Sequence, residues 1–288
     1  MPDTVVPPIL GIDGHAHVFS HGLSLTDGRR YTPDYDATLD RYLANVQTYG
    51  LSHGVLVQPS FLGTDNRYLL DALRQQPARL RGVVVLETGT PRSTLEEMAS
   101  LGVVGMRLNL IGKDQPDFSE PALKRLLEQV AELGWHVEIH RQAEDIAQVV
   151  EGLRPFGCPV VIDHFGRPDA REGVGQAGFQ RLLELAQSHA LWCKVSGIYR
   201  LAGSAKQNLD FAREALPLLE QAFGSHRLVW GSDWPHTQHE HQVNYGDALA
   251  QLDALGATPE LRRALLVESP AALFGFVGRE QDVEGGIN

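Results

Sequence analysis

Cysteine is almost missing from this 288-residue chain: two occur, Cys158 and Cys193, far apart and without metal-ligand spacing. That excludes a disulfide framework, and a reducing cytoplasm is the expected compartment. The opening MPDTVVPPIL lacks the basic and apolar blocks of a secretory leader. No apolar run approaches the roughly 18 residues that cross a bilayer, so no membrane partner is expected. Positive charge is short, with 25 Lys and Arg against 36 Asp and Glu and a net charge of −11. A nucleic-acid partner would call for a basic face instead. A GxSxG elbow is absent, and the serine of WGSDW sits beside its aspartate in an order that forms no triad, which excludes serine-hydrolase chemistry. GVGQAG (173–178) spells a dinucleotide GxGxxG, but it follows no strand directly.

What is present is an alternation. The composition, 43% hydrophobic and 21% charged, can bury a sizeable core. Apolar β-rich runs are expected to be strands near 10–17, 53–59, 81–87, 103–110, 136–140, 159–164, 191–196 and 227–233. Most lack strict polar alternation, as in a parallel sheet covered on both faces. Helical spacing lies between them: Leu39, Tyr42, Leu43 and Val46; Leu123, Leu126, Leu127 and Val130; Leu182, Leu183, Leu185 and Ala186. SEPALKR is expected to open a helix with Ser119 as its cap. Eight such units predict an α/β fold, a single-domain (β/α)8 TIM barrel over residues 1–288, with GREQDVEGGIN (278–288) a flexible tail. A doubly wound open sheet is the competing architecture.

In a barrel the active site lies at the C-terminal strand ends. Those ends offer His15 and His17, then Ser60, Glu87, Arg107 and Asn109 with Lys113 beyond. They continue with His140 and Arg141, then Asp163, His164 and Arg167, Lys194 and Ser196 with Arg200 beyond, and Asp233. A lone histidine such as His53, His136, His189 or His226 is most simply a packed or surface residue. The set His15, His17, His140, His164 and Asp233 is different, because every member falls at a strand end. PHTQHEH (235–241) reads as a polar loop with one histidine near the substrate, and His239 and His241 stay outside the site set. Several cations converging on one mouth of an acidic protein point to an anionic small molecule.

This pattern resembles the amidohydrolase superfamily, whose hallmark is HxH on the first strand, histidines ending the fifth and sixth, and an aspartate ending the eighth. QPSFLGTDN, IDHFGRPD, KVSGIYR and VWGSDWPH are most similar to its 2-pyrone-4,6-dicarboxylate hydrolase-like lactonases. The resemblance implies that Asp233 activates water while His15, His17 and His164 polarise a lactone carbonyl. Arg107, Arg167 and Arg200 would clamp substrate carboxylates, with Ser60, Tyr31, Lys113 and His140 completing the binding set. Lys113 stands where such lactonases carry an arginine, giving a point charge instead of a planar fork. His140 stands where they carry an aromatic residue and restores a metal-ligand position. The resemblance implies no required cofactor; the alternative is a single zinc on His15, His17, His140 and Asp233. Hydrolysis of a carboxylated lactone is therefore expected from a cytoplasmic monomer or small homo-oligomer. A metal-dependent decarboxylase, a lactone isomerase and a non-catalytic anion sensor are the competing functions.

Overall fold

In the computed structural model, which describes residues 7–188 and 190–276, the alternation closes into a barrel. The strands are β1 (Ile12–Ala16), β2 (His53–Val57), β3 (Leu80–Val84), β4 (Val103–Asn109), β5 (His136–His140), β6 (Val160–Ile162), β7 (Leu191–Val195) and β8 (Leu228–Trp230). They pair in parallel in chain order, so the doubly wound alternative falls away. The chain after β8 returns to β1. Asp233 N–H donates to the His15 carbonyl at 2.8 Å, and His17 N–H donates to the Trp234 carbonyl at 2.7 Å. The expected tail and His189 lie outside the described residues.

Each strand is followed by a helix: α1 (Leu39–Thr48), α2 (Arg67–Gln75), α3 (Arg92–Ser100), α4 (Pro121–Glu132), α5 (Ala143–Leu153), α6 (Ala177–Ser188), α7 (Ala205–Phe223) and α8 (Tyr245–Ala254). The apolar stripes read from sequence face the sheet, with Leu39, Tyr42 and Val46 buried on α1 and Leu126, Leu127 and Val130 on α4. The cap of α4 differs from expectation. Glu120 accepts from the Leu123 N–H at 2.7 Å, while the Ser119 hydroxyl turns to Asp117. With Pro121 opening the helix, the longer glutamate arm reaches the free amide that the serine misses. GVGQAG serves packing: a Cβ on Gly178 would lie 2.6 Å from the Ala143 carbonyl carbon, so the glycine lets α6 approach α5.

Two short helices, α9 (Pro259–Arg263) and α10 (Ser269–Phe274), follow. Phe274 packs with Ile12, Val55, Val57 and Val83 and meets His136 at the first residue of β5. That apolar cluster packs inside the barrel, with Phe274 against the first residue of β5, away from the strand ends that carry the polar residues. The β1–β8 seam is held by buried Asp13, which accepts from Ser232 N–H at 2.8 Å, Ser232 O–H at 2.6 Å and Tyr245 O–H at 3.0 Å.

Candidate active site

Backbone strain collects at the mouth. Of seven described non-glycine residues with positive φ, five are His164, Phe165, Arg167, Asp233 and His236, all just past β6 or β8. Such conformations cost energy and persist where the surroundings hold them in place. Here they turn His164, Arg167 and Asp233 toward one cavity of about 290 Å³.

At its floor three imidazoles surround the Asp233 carboxylate: His17 and His164 line the cavity with it, and His15, fully buried, lies just beneath. His17 Nε2 lies 3.4 Å and His15 Nε2 3.7 Å from Asp233 Oδ1, and His164 Nε2 lies 3.9 Å from Oδ2. His17 donates from Nδ1 to the Val57 carbonyl at 2.7 Å, which fixes its ring with Nε2 inward. His164 Nδ1 meets the Ser196 hydroxyl at 2.8 Å. Asp233 Oδ2 accepts from Arg200 Nε at 2.5 Å and Tyr199 O–H at 2.6 Å, whereas Oδ1 carries no hydrogen bond. Burial alone would raise the Asp233 carboxyl. Arg200 and the imidazoles of His164, His17 and His15 outweigh it and hold the group well below the usual carboxylate range. Burial pushes His164 down to about 3 against the pull of Asp233 and Asp163, so it is neutral at pH 7. His15 is likewise driven well below its ordinary value, by burial first and Lys194 second.

Beneath this floor lies a buried charged layer, of which only Arg107 reaches the cavity. Lys194 Nζ on β7 donates to Glu138 Oε2 at 2.5 Å and to His15 Nδ1 at 2.9 Å. Arg107 binds Asp163 Oδ2 through Nε at 3.0 Å and Nη2 at 2.7 Å, and its Nε lies 3.3 Å from Glu138 Oε1. Burial raises Glu138, with Asp163 adding repulsion; Asp163 itself is held well below the usual range because Arg107 and Lys194 outweigh its own burial.

The remaining expected residues sort by position. Tyr31, Ser60, Arg107, His140, Arg167 and Arg200 line the cavity with His17, His164 and Asp233. Arg200 and Arg107 spend donors on internal carboxylates, while Arg167 has no carboxylate partner among the described residues, and burial lowers it to about 10. The Tyr31 hydroxyl is committed to Glu240 at 2.7 Å, alongside Tyr35 at 2.6 Å, which ties the β1 loop to the β8 loop. Lys113 is exposed and borders an adjoining groove instead of the cavity. His140 is buried with both ring nitrogens unpartnered. The metal-capable groups among the described residues are His15–His17–Asp233 and His15–Asp163–His164, and His140 belongs to neither.

Sequence reasoning missed Glu138, Arg30, Tyr199 and His239. Tyr199 and His239 line the cavity with rings 4.9 Å apart, and Arg30 lines it while donating to Asn109 at 3.3 Å. Glu138 had a sequence signal, since it lies two residues before His140 on one strand and so on the same face, and His239 lies in the PHTQHEH loop expected to bring one histidine near the substrate.

A carboxylate ringed by imidazoles at the C-terminal mouth of a parallel barrel, with arginines above it, is an arrangement chemically suited to proton transfer beside an anionic ligand, in the place where barrel enzymes carry their active sites. The chain belongs to the amidohydrolase family, whose model matches residues 12–276. It is 31% identical over 278 residues to a 2-pyrone-4,6-dicarboxylate hydrolase of Comamonas testosteroni, covering 93% of this chain and 90% of that one. It is 30% identical to a 4-sulfomuconolactone hydrolase of Hydrogenophaga intermedia, covering 93% and 89%. A crystal structure of a presumed 2-pyrone-4,6-dicarboxylic acid hydrolase from Pseudomonas putida superposes with a TM-score of 0.89 at 58% identity, covering 93% of this chain and 98% of that one. The fold is also that of a Burkholderia multivorans amidohydrolase with bound zinc, at 18% identity and a TM-score of 0.74, with 92% of this chain and 99% of that one covered.

Proposed function

We propose that this protein hydrolyses a carboxylated lactone, such as 2-pyrone-4,6-dicarboxylate or a related muconate or sugar-acid lactone. The observation that carries the reading is the Asp233 carboxylate with one free oxygen, set among three imidazoles within 3.9 Å. Asp233 takes a proton from water, and the hydroxide oxygen bonds to the lactone carbonyl carbon. The oxyanion that develops is met by an imidazole N–H of His15 or His164, since His17 spends its own N–H on the Val57 carbonyl. The ring C–O bond then breaks, and the leaving oxygen takes the proton back from Asp233. Products are the open hydroxy-acid, ionised at neutral pH, and one released proton. An anionic substrate that draws on Arg200 loosens that guanidinium's hold on Asp233 and raises the carboxyl toward useful basicity.

His15, His17 and Asp233 present atoms 3.3 to 3.7 Å apart, close to the roughly 3.3 Å edges of a tetrahedral zinc site. A zinc ion held there would acidify its bound water and polarise a carbonyl. Zinc-bound imidazoles turn their other N–H to a carboxylate or carbonyl, and His17 does so. His15 fits poorly, because its outer nitrogen faces the Lys194 ammonium. The proposed mechanism therefore uses no metal, and full activity after chelation, with no stoichiometric zinc by elemental analysis, is the expected result. Activity that chelation abolishes and zinc restores would overturn it. The acidic charge and the two free cysteines support a cytoplasmic enzyme with no nucleic-acid partner, a monomer or small homo-oligomer. Among the described residues no helix is long and apolar enough to cross a membrane.

The test of function is proton release from a panel of carboxylated lactones. Ring opening by the native enzyme and a loss of about 10²- to 10⁴-fold in D233N are expected. A panel left intact, or opened equally well by D233N, would refute the reading.

A further inference from the structure

We propose that Lys194 is a positioning residue that fixes which nitrogen of His15 carries the proton, and thereby makes His15 a hydrogen-bond donor toward the substrate carbonyl. The proposal rests on the lactone-hydrolase reading for its catalytic consequence, but its structural half stands alone.

The geometry is a contest for one nitrogen. His15 Nδ1 lies 3.5 Å from Glu138 Oε1 and 3.5 Å from Asp163 Oδ1, two acceptors that by themselves would draw a proton onto it. Lys194 Nζ reaches the same nitrogen at 2.9 Å. An ammonium offers donors and no acceptor, so at that distance Nδ1 must accept. A neutral imidazole has one N–H, which then sits on Nε2. His15 is fully buried just beneath the cavity lining, with Nε2 3.3 Å from His17 Nε2 and 3.7 Å from Asp233 Oδ1, two residues that do line it, so a shift of His17 brings a substrate oxygen within its reach. His17 spends its own Nδ1–H on Val57, so its Nε2 lone pair is free to hold the His15 proton until a substrate oxygen arrives.

Lys194 is held in place to do this. It is fully buried, its ammonium pairs with Glu138 Oε2 at 2.5 Å, and Asp163 Oδ1 lies 3.5 Å away. It touches neither the cavity nor Asp233 in this structure, and so acts through His15. Without the ammonium, Glu138 and Asp163 become the nearest partners of Nδ1. The proton moves there, and Nε2 is left as a bare lone pair that repels a developing oxyanion.

The experiment reads the tautomer directly in the native protein. In long-range proton–nitrogen NMR of the ¹⁵N-labelled enzyme, the His15 signals are assigned by their loss in H15Q. Nδ1 is expected to show the shift of an unprotonated nitrogen and Nε2 that of a protonated one. Protonated Nδ1 overturns the proposal whether or not any lactone is opened. In K194M the two shifts are expected to exchange, with kcat lower by roughly 10²- to 10³-fold, the loss typical of one oxyanion donor, and KM within about threefold. A folded K194M that keeps the native tautomer, or keeps native kcat, also overturns it. If K194M fails to fold, the native spectrum still decides. Failure of the lactone screen with the expected native tautomer would refute the reaction and leave the lock in place.

Discussion

Arg167 and Lys113 both carry one positive charge near the mouth, yet their surroundings differ. Arg167 is largely buried, lines the cavity and lacks a carboxylate partner among the described residues; Lys113 is exposed beside the neighbouring groove. A buried guanidinium without an internal acid costs stability that a substrate carboxylate recovers on binding. A charge-assisted hydrogen bond contributes about 1.5–3 kcal/mol. R167Q is therefore expected to raise KM for a carboxylated lactone roughly 10- to 100-fold, with kcat changed less. K113Q is expected to change KM less than about threefold, since an exposed charge is screened. Steady-state kinetics on the two variants check this, and equal effects would mean that the substrate reaches into the groove. Arg30 belongs with Arg167: it lines the cavity and pairs with no carboxylate among the described residues, so R30Q should also act on KM before kcat.

The seam between β1 and β8 shows how an element's geometry sets the site. Asp233 and His15 come from opposite ends of the chain and meet because the two backbones approach across the seam. Gly231 permits that approach, for a Cβ there would lie 2.5 Å from the His15 Cβ. G231A forces apart the segments that carry the base and the first imidazoles. It is expected to cost about 1–3 kcal/mol in urea unfolding, as overpacked sites do, and to lower kcat as well. Native stability in G231A would mean that the seam has room for a side chain there. The strand-end residues were legible in the sequence because a parallel barrel collects every C-terminal strand end at one mouth, so His15, His17, His164 and Asp233 needed only the strand count. Glu138 and Lys194 were harder. Their partnership spans 56 residues, and a charged residue inside an apolar strand does not announce its partner. Arg30 and Glu240 lie on loops whose path no periodicity encodes. The role of Tyr31 turned on Glu240, a residue 209 positions away.

Across the molecule, burial keeps several histidines neutral that would charge in the unfolded chain. Desolvation lowers His53 and His236 to about 4 and His136 and His164 to about 3, against roughly 6.5 when unfolded. Between about pH 6.5 and 4 the unfolded chain therefore binds protons that the native protein refuses, and stability must fall as pH falls through that window. Glu138 and Asp13, both raised by burial, work the other way, but they are two groups against four. Asp233 and Asp163, held low, remain ionised there and add their own loss only below the ordinary carboxylate range near 4. The melting temperature is thus expected to be level near pH 7 to 8 and to decline from about pH 6.5 downward, before most carboxylates titrate. The proposed base follows a different course, because Asp233, held low by Arg200, stays deprotonated throughout that window. Measured at 25 °C on protein that is still folded, kcat/KM should hold through about pH 5 while the melting temperature is already dropping. An acid limb in kcat/KM near pH 6.5 would assign the reaction to a titrating imidazole instead of to Asp233.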